Sequence, residues 1–146
     1  MDNQKLSEKI DYIKELFGES ILPEIPEAIS NNLKHNMWPL QEEAFKNFLF
    51  YENVKDGSSN ENLPNVEFVK KDEPTHLMFN MATGSGKTML MAACMLHYMN
   101  LGYRKFLFIT NQTNILDKTE ENLINKLHQK YLFDDQLMIN SERVEL

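Results

Sequence analysis

The sequence predicts an α/β fold, a parallel sheet with flanking helices, preceded by an N-terminal helical segment. Three stretches carry that expectation. The run Thr75–Asn100 passes from a short apolar segment (Leu77, Met78, Phe79) through a small-residue loop into a long apolar segment, the order strand, loop, helix. Lys105-Phe106-Leu107-Phe108-Ile109-Thr110 is a continuous apolar run, as a strand buried on both faces requires. Together they make one βαβ unit over Leu77–Ile109, whose crossover is expected to be right-handed. Upstream, apolar residues recur at helical rather than strand spacing.

In chain order, Leu6, Ile10, Ile13 and Phe17 predict a helix over Gln4–Phe17 that Gly18 stops. Pro23 and Pro26 break the chain, and Pro26 suits the first position of a short helix over Glu27–Lys34. Pro39 then opens a helix whose inward face is Leu40, Ala44, Phe45, Phe48 and Leu49. Residues 53–74 lose the pattern and predict a surface loop, with Val66–Val69 as an edge strand. Met89–Met99 has almost no polar face, so its helix expects burial all round. Gly102 is placed to cap it in the left-handed conformation. A further helix follows with Leu116, Leu123, Ile124 and Leu127 inward, and Leu137-Met138-Ile139 is a weak last strand. These divide the chain into a helical segment, 1–37, and the first part of a main domain, 38–146, incomplete at its C-terminal end. Only two strands are well marked, whereas a doubly wound sheet has about five. The apolar helix therefore calls for further partners, by exposure or self-association.

Composition bounds the function. A length of 146 residues suits one domain, which buries about 70% of its unfolded surface. The net charge of −7 disfavours non-specific binding to polyanions. Arg104 and Arg143 are the only arginines, so there is no basic stripe. Cys94 is alone, rules out an internal disulfide and reads as a small core residue. The charged start (Asp2, Lys5, Glu8, Lys9) has no signal-peptide pattern, and the longest apolar run, Met89–Leu96, is far short of a membrane span. A cytoplasmic protein without membrane partners is expected.

The chemistry concentrates in Ala82-Thr83-Gly84-Ser85-Gly86-Lys87-Thr88. Gly84 and Gly86 let backbone N–H groups turn inward on a phosphate, and the next helix adds the partial positive charge of its N-terminus. Lys87 can reach the β- and γ-phosphates and Thr88 can join Mg²⁺, giving an ATP and Mg²⁺ site. The strict pattern has glycine where this chain has Met81. The bland alternative is a glycine-rich turn between strand and helix.

Trp38-Pro39-Leu40-Gln41 with Ala44, Met81–Thr88, and the segment Phe106–Thr119 resemble, in that order, the first landmarks of superfamily 2 helicase-like ATPases. The nearest likeness is to the Res subunit of type III restriction enzymes, and it covers about Ile25–Leu127. Met-Ala-Thr-Gly is an opening that family often uses. The resemblance implies a partial RecA-like motor domain in which Gln41 reads adenine through its amide, against the alternative of a solvated helix glutamine. Ala82, Thr83, Gly84, Ser85, Gly86, Lys87 and Thr88 would hold the nucleotide, and Thr88 the metal. Thr110, Asn111 and Thr113 would touch nucleic-acid backbone, where short polar groups beside a helix start suit phosphate oxygens; the alternative is that they cap the helix. Hydrolysis needs a second acidic site, which the family supplies from a later Asp-Glu pair. Asp72-Glu73 lies before the loop and Asp134-Asp135 follows too short an apolar run, so neither fits. The family's second RecA-like domain and nuclease are likewise unmatched.

The resemblance implies that the whole protein is an ATP hydrolase translocating on double-stranded DNA alongside a modification (methyltransferase) subunit. Of these 146 residues alone, no turnover is expected. A nucleotide-binding assembly or regulatory module without hydrolysis is the alternative reading. A small phosphoryl-transfer kinase fits less well, since Thr110–Asn114 lacks lid-like arginines.

Overall fold

A computed structural model describes residues 4–56, 66, 69 and 72–145 of the chain. They contain five α-helices: α1 (Leu6–Phe17), α2 (Glu27–Ser30), α3 (Pro39–Asp56), α4 (Lys87–Asn100) and α5 (Thr113–Ile124). A short antiparallel pair follows, β1 (Met138–Ile139) and β2 (Glu142–Arg143). The chain divides into two compact units, Met1–Glu24 with Glu42–Asn80, and Ile25–Gln41 with Met81–Leu146. Helix α3 runs through the division between Gln41 and Glu42.

The first unit is built on the apolar stripe of α1. Ile10 and Ile13 are buried against Phe50 and Val54 of α3 and against Val66 and Val69, with Leu6, Ile21, Leu22 and Tyr51 packed around them. Gly18 ends α1 with φ of 88°, and its N–H returns to the Lys14 carbonyl, the conformation that glycine adopts without strain. Phe45, Phe48 and Leu49 of α3 are buried as the periodicity predicts, whereas Leu40 is exposed. Helix α3 continues to Asp56, so residues 53–56 belong to it and not to the surface loop expected from residue 53. The remainder of that expected loop and the Val66–Val69 strand lie largely outside the described residues.

The second unit is organised around α4. Met89, Leu90, Ala92, Ala93, Leu96 and Met99 are buried and no residue of Met89–Asn100 is fully exposed, in line with a helix apolar on every side. Segments from both ends of the chain enclose it. Helix α2 packs on it, as does β1. Leu33 bridges Phe133, the Lys34 N–H donates to the Leu132 carbonyl at 2.9 Å and the Asp134 N–H to the Asn32 carbonyl at 2.9 Å. Asn32, itself buried, closes the arrangement. Its amide nitrogen donates to the Ala28 and Met138 carbonyls at 2.7 Å each, and its oxygen accepts the Met138 N–H at 2.7 Å. Tyr131, Phe133, Leu137 and Ile139 complete this core. The β1–β2 turn uses positive φ at Asn140 and Ser141, the geometry of a tight hairpin.

Several expectations are corrected. The parallel sheet is not found among the described residues. Residues 77–79 and 105–110 are not paired as strands, because a strand exists only through its hydrogen-bonded neighbours and the described residues bring none alongside. Their apolar side chains are exposed instead, Met78 by 88%, Leu107 by 86% and Ile109 by 80%. Helix α2 is one turn long, with Pro26 at its N-cap and not its first position. Of the residues expected inward on the fifth helix only Leu123 is buried, together with Thr119. Leu127 lies past the end of α5 and Leu116 and Ile124 are exposed. No described helix is long and apolar enough to cross a membrane.

Candidate nucleotide site

The residues at Met81–Thr88 form a turn at Thr83-Gly84, a bend at Ser85 and then the start of α4. Two left-handed glycines make that path. Gly84 has φ of 83° and Gly86 φ of 78° with ψ of 37°, values costing an L-residue roughly 1–2 kcal/mol. The Ser85 hydroxyl and N–H both donate to the Ala82 carbonyl, at 2.7 and 3.3 Å, which curls the loop. Gly86 is the N-cap of α4, and its carbonyl accepts the Met89 and Leu90 N–H groups. Among the described residues, the Gly86, Lys87 and Thr88 N–H groups meet no carbonyl, as the first turn of a helix leaves them.

The Lys87 ammonium folds back over the loop, donating to the Met81 carbonyl at 3.0 Å and the Ala82 carbonyl at 2.9 Å. An ammonium has three N–H donors, so one remains for a ligand on this solvent-facing side. Thr88 is partly buried one residue into α4. Unpaired amides, a helix start and a fixed ammonium make a donor set suited to phosphate oxygens. That chemistry fits a magnesium nucleotide. No group of three or more His, Cys, Asp or Glu side chains among the described residues is placed to hold a metal by itself.

Gln41 stands apart from the solvated glutamine that helix position alone suggests. It is 4% exposed. Its oxygen accepts the Trp38 N–H at 2.8 Å, and its nitrogen donates to the Ser85 carbonyl at 2.8 Å and the Gly86 carbonyl at 3.5 Å. A Cβ on Gly86 would overlap the Gln41 Nε2 atom. Sequence spacing gives no sign of this pairing, which joins residues 44 positions apart.

Thr110, Asn111 and Thr113 sit where chain 105–110 leads into α5. Asn111 and Thr113 are exposed and Thr110 is partly buried. The Thr110 hydroxyl accepts the Gln112 N–H at 3.4 Å, while Gln112 is the N-cap of α5 and offers no side-chain cap. The first turn of α5 is thus open, with these polar groups beside it. Asp134 and Asp135 are occupied structurally: the Asp134 carboxylate accepts the Gln136 N–H at 2.8 Å and Asp135 lies 3.9 Å from the Lys34 ammonium.

A strand-length segment, a phosphate-type loop and a following buried helix define the class to which comparison with known proteins then gives a family. The model of the family described as "Type III restriction enzyme, res subunit" matches residues 34–145, and the chain belongs to that family. It is 45% identical over 114 residues to a Haemophilus influenzae protein described as "Probable type III restriction-modification enzyme HindVIP Res subunit". That match covers 78% of this chain and 21% of the relative, so the chain spans about a fifth of the relative's length. No solved structure matches the chain.

Proposed function

We propose that residues 81–88 form the ATP site of a helicase-like motor in a type III restriction system. The observation that carries this reading is the Lys87 ammonium fixed over the Met81 and Ala82 carbonyls, beside two left-handed glycines and an open helix start. Ala82, Thr83, Gly84, Ser85 and Gly86 cradle the phosphates with their main chain, Lys87 sits against the β- and γ-phosphates, and the Thr88 hydroxyl joins Mg²⁺. Mg²⁺, which the Thr88 hydroxyl would help to hold, would supply positive charge against the phosphates when bound. Gln41 belongs to the same site through the loop carbonyls it holds.

On this reading residues 38–146 are the first part of a RecA-like motor domain, preceded by the helical segment 1–37. Segments 77–79 and 105–110 are then strands of its parallel sheet, whose ladder is completed by further strands. Thr110, Asn111 and Thr113 contact the backbone of double-stranded DNA, using hydroxyl and amide groups beside an open helix start. The whole protein hydrolyses ATP in the cytoplasm while moving on duplex DNA, together with a modification subunit. Family membership supports this.

The test is ATPase activity of the full chain with and without duplex DNA. Stimulation by DNA is expected. ATP turnover that ignores DNA argues against a DNA motor, and nucleotide binding without any turnover favours an assembly module.

A further inference from the structure

We infer that Trp38 is the platform on which the base of a bound nucleotide stacks. The inference rests on the nucleotide site proposed above and gives that site the side chain that meets the face of the base. Tryptophan is well buried on average, but Trp38 is 60% exposed. Among the described residues no ring or cation rests on its indole. Its main chain, by contrast, is held from both sides. The Trp38 N–H donates to Gln41 Oε1 at 2.8 Å, and the Trp38 carbonyl accepts the Gln41 N–H at 2.8 Å. Pro39 follows and confines the residue before it to extended backbone. Only two side-chain torsions are left to fix when a ring settles on the indole. An exposed aromatic face on a fixed main chain is what a flat ligand needs.

One side chain places that face beside the phosphate loop. The Gln41 amide that accepts the Trp38 N–H also donates to the Ser85 carbonyl at 2.8 Å. The Trp38 main chain and the loop are therefore separated by no more than one amide group and two hydrogen bonds. Trp38, Gln41 and residues 81–88 also belong to one compact unit. A nucleotide whose phosphates lie on residues 84–87 extends its sugar and base beyond the loop, and the indole at that flank offers the base an apolar surface. Stacking uses the π-face that every base has and leaves the hydrogen-bonding edge untouched. That edge stays open to an amide such as that of Gln41, whose contact with the Gly86 carbonyl, at 3.5 Å, is at the limit of a hydrogen bond.

The test is calorimetric titration of the full chain with Mg-ATP and with magnesium tripolyphosphate, which has no base. Loss of one base–aromatic stack weakens binding about five- to a hundredfold. Trp38→Ala is expected to weaken Mg-ATP by that factor and to leave tripolyphosphate where it was. Trp38→Phe keeps a ring and should restore most of the ATP affinity, whereas Trp38→Leu, apolar but without a π-face, should not. An ATP affinity unchanged in Trp38→Ala, or restored as well by leucine as by phenylalanine, overturns the stack. An equal loss for ATP and tripolyphosphate would make Trp38 a support of the loop and overturn it too. An unaltered protein that binds neither ligand would instead overturn the nucleotide site itself. Tryptophan emission supplies a second readout, since Trp38 is the only tryptophan of these 146 residues. Mg-ATP should change the emission of the unaltered full chain more than that of its Trp38→Phe variant, and equal changes contradict contact with the base.

Discussion

Gly84 and Gly86 share a left-handed backbone, yet the structure separates them. A Cβ at Gly84 would meet nothing within 4 Å, whereas at Gly86 it would overlap the Gln41 amide. Gly84→Ala therefore carries only the left-handed backbone cost of roughly 1–2 kcal/mol. Gly86→Ala carries that cost and also displaces Gln41 from the Ser85 and Gly86 carbonyls. Thermal unfolding should show the larger loss for Gly86→Ala, and equal losses would contradict the close packing. At this scale the sequence was informative about residue types and silent about pairs. The loop's glycines, lysine and threonine can be read from their order, because their chemistry is local. The Gln41 and Asn32 bonds cannot, since each joins an amide to main chain far away in sequence.

Among the elements, the segment around Tyr131 ties the chain's last described part to α4 and the turn after α2. Tyr131 is fully buried, and its hydroxyl has no hydrogen-bond partner among the described residues. Burial, with Asp135 and Asp134 adding to it, holds its phenol above the usual range. The unfolded chain thus loses the Tyr131 proton first as pH rises past the ordinary value of about 10. Stability from the neutral phenol is fully present below that pH and is lost as pH climbs through the raised folded value. Tyr131→Phe should remove this alkaline loss and leave stability near neutral pH little changed, as followed by denaturant unfolding at several pH values. A loss above pH 10 as steep in the variant as in the parent would contradict it. The elements best read from sequence were α1, α3 and α4, whose long apolar periods dictate a helix whatever surrounds them. The strands are less legible, because apolar runs such as 105–110 state a preference for burial, while pairing depends on neighbours that a run does not specify and that the described residues do not bring alongside. The same holds for α5, where Leu116 and Ile124 point to a face that the described residues leave uncovered.

At the scale of the molecule, the surface around Met78 and that around Phe106–Ile109 expose large apolar side chains. The helix Met89–Met99, whose sequence calls for burial all round and for partners beyond this chain, already has Met89, Leu90, Ala92, Ala93, Leu96 and Met99 buried among the described residues. The 146 residues in isolation should therefore bind a hydrophobic dye or self-associate, and Leu107→Lys with Ile109→Lys should reduce both. A strictly monomeric chain that leaves the dye dark would mean these side chains are covered in solution. Composition sets a further bound at this scale: an acidic chain with a net charge of −7 and no basic stripe disfavours non-specific binding to polyanions.

The account stands on one loop acting as an anion cradle closed by the Lys87 side chain. Titration of the full chain with Mg-ADP, beside its Lys87→Ala variant, tests it most directly. Heat of binding at one site is expected from the parent, with affinity falling about ten- to a hundredfold in the variant as a charge-assisted contact is removed. A folded parent that takes up no nucleotide, or a variant that binds as tightly as the parent, would contradict it.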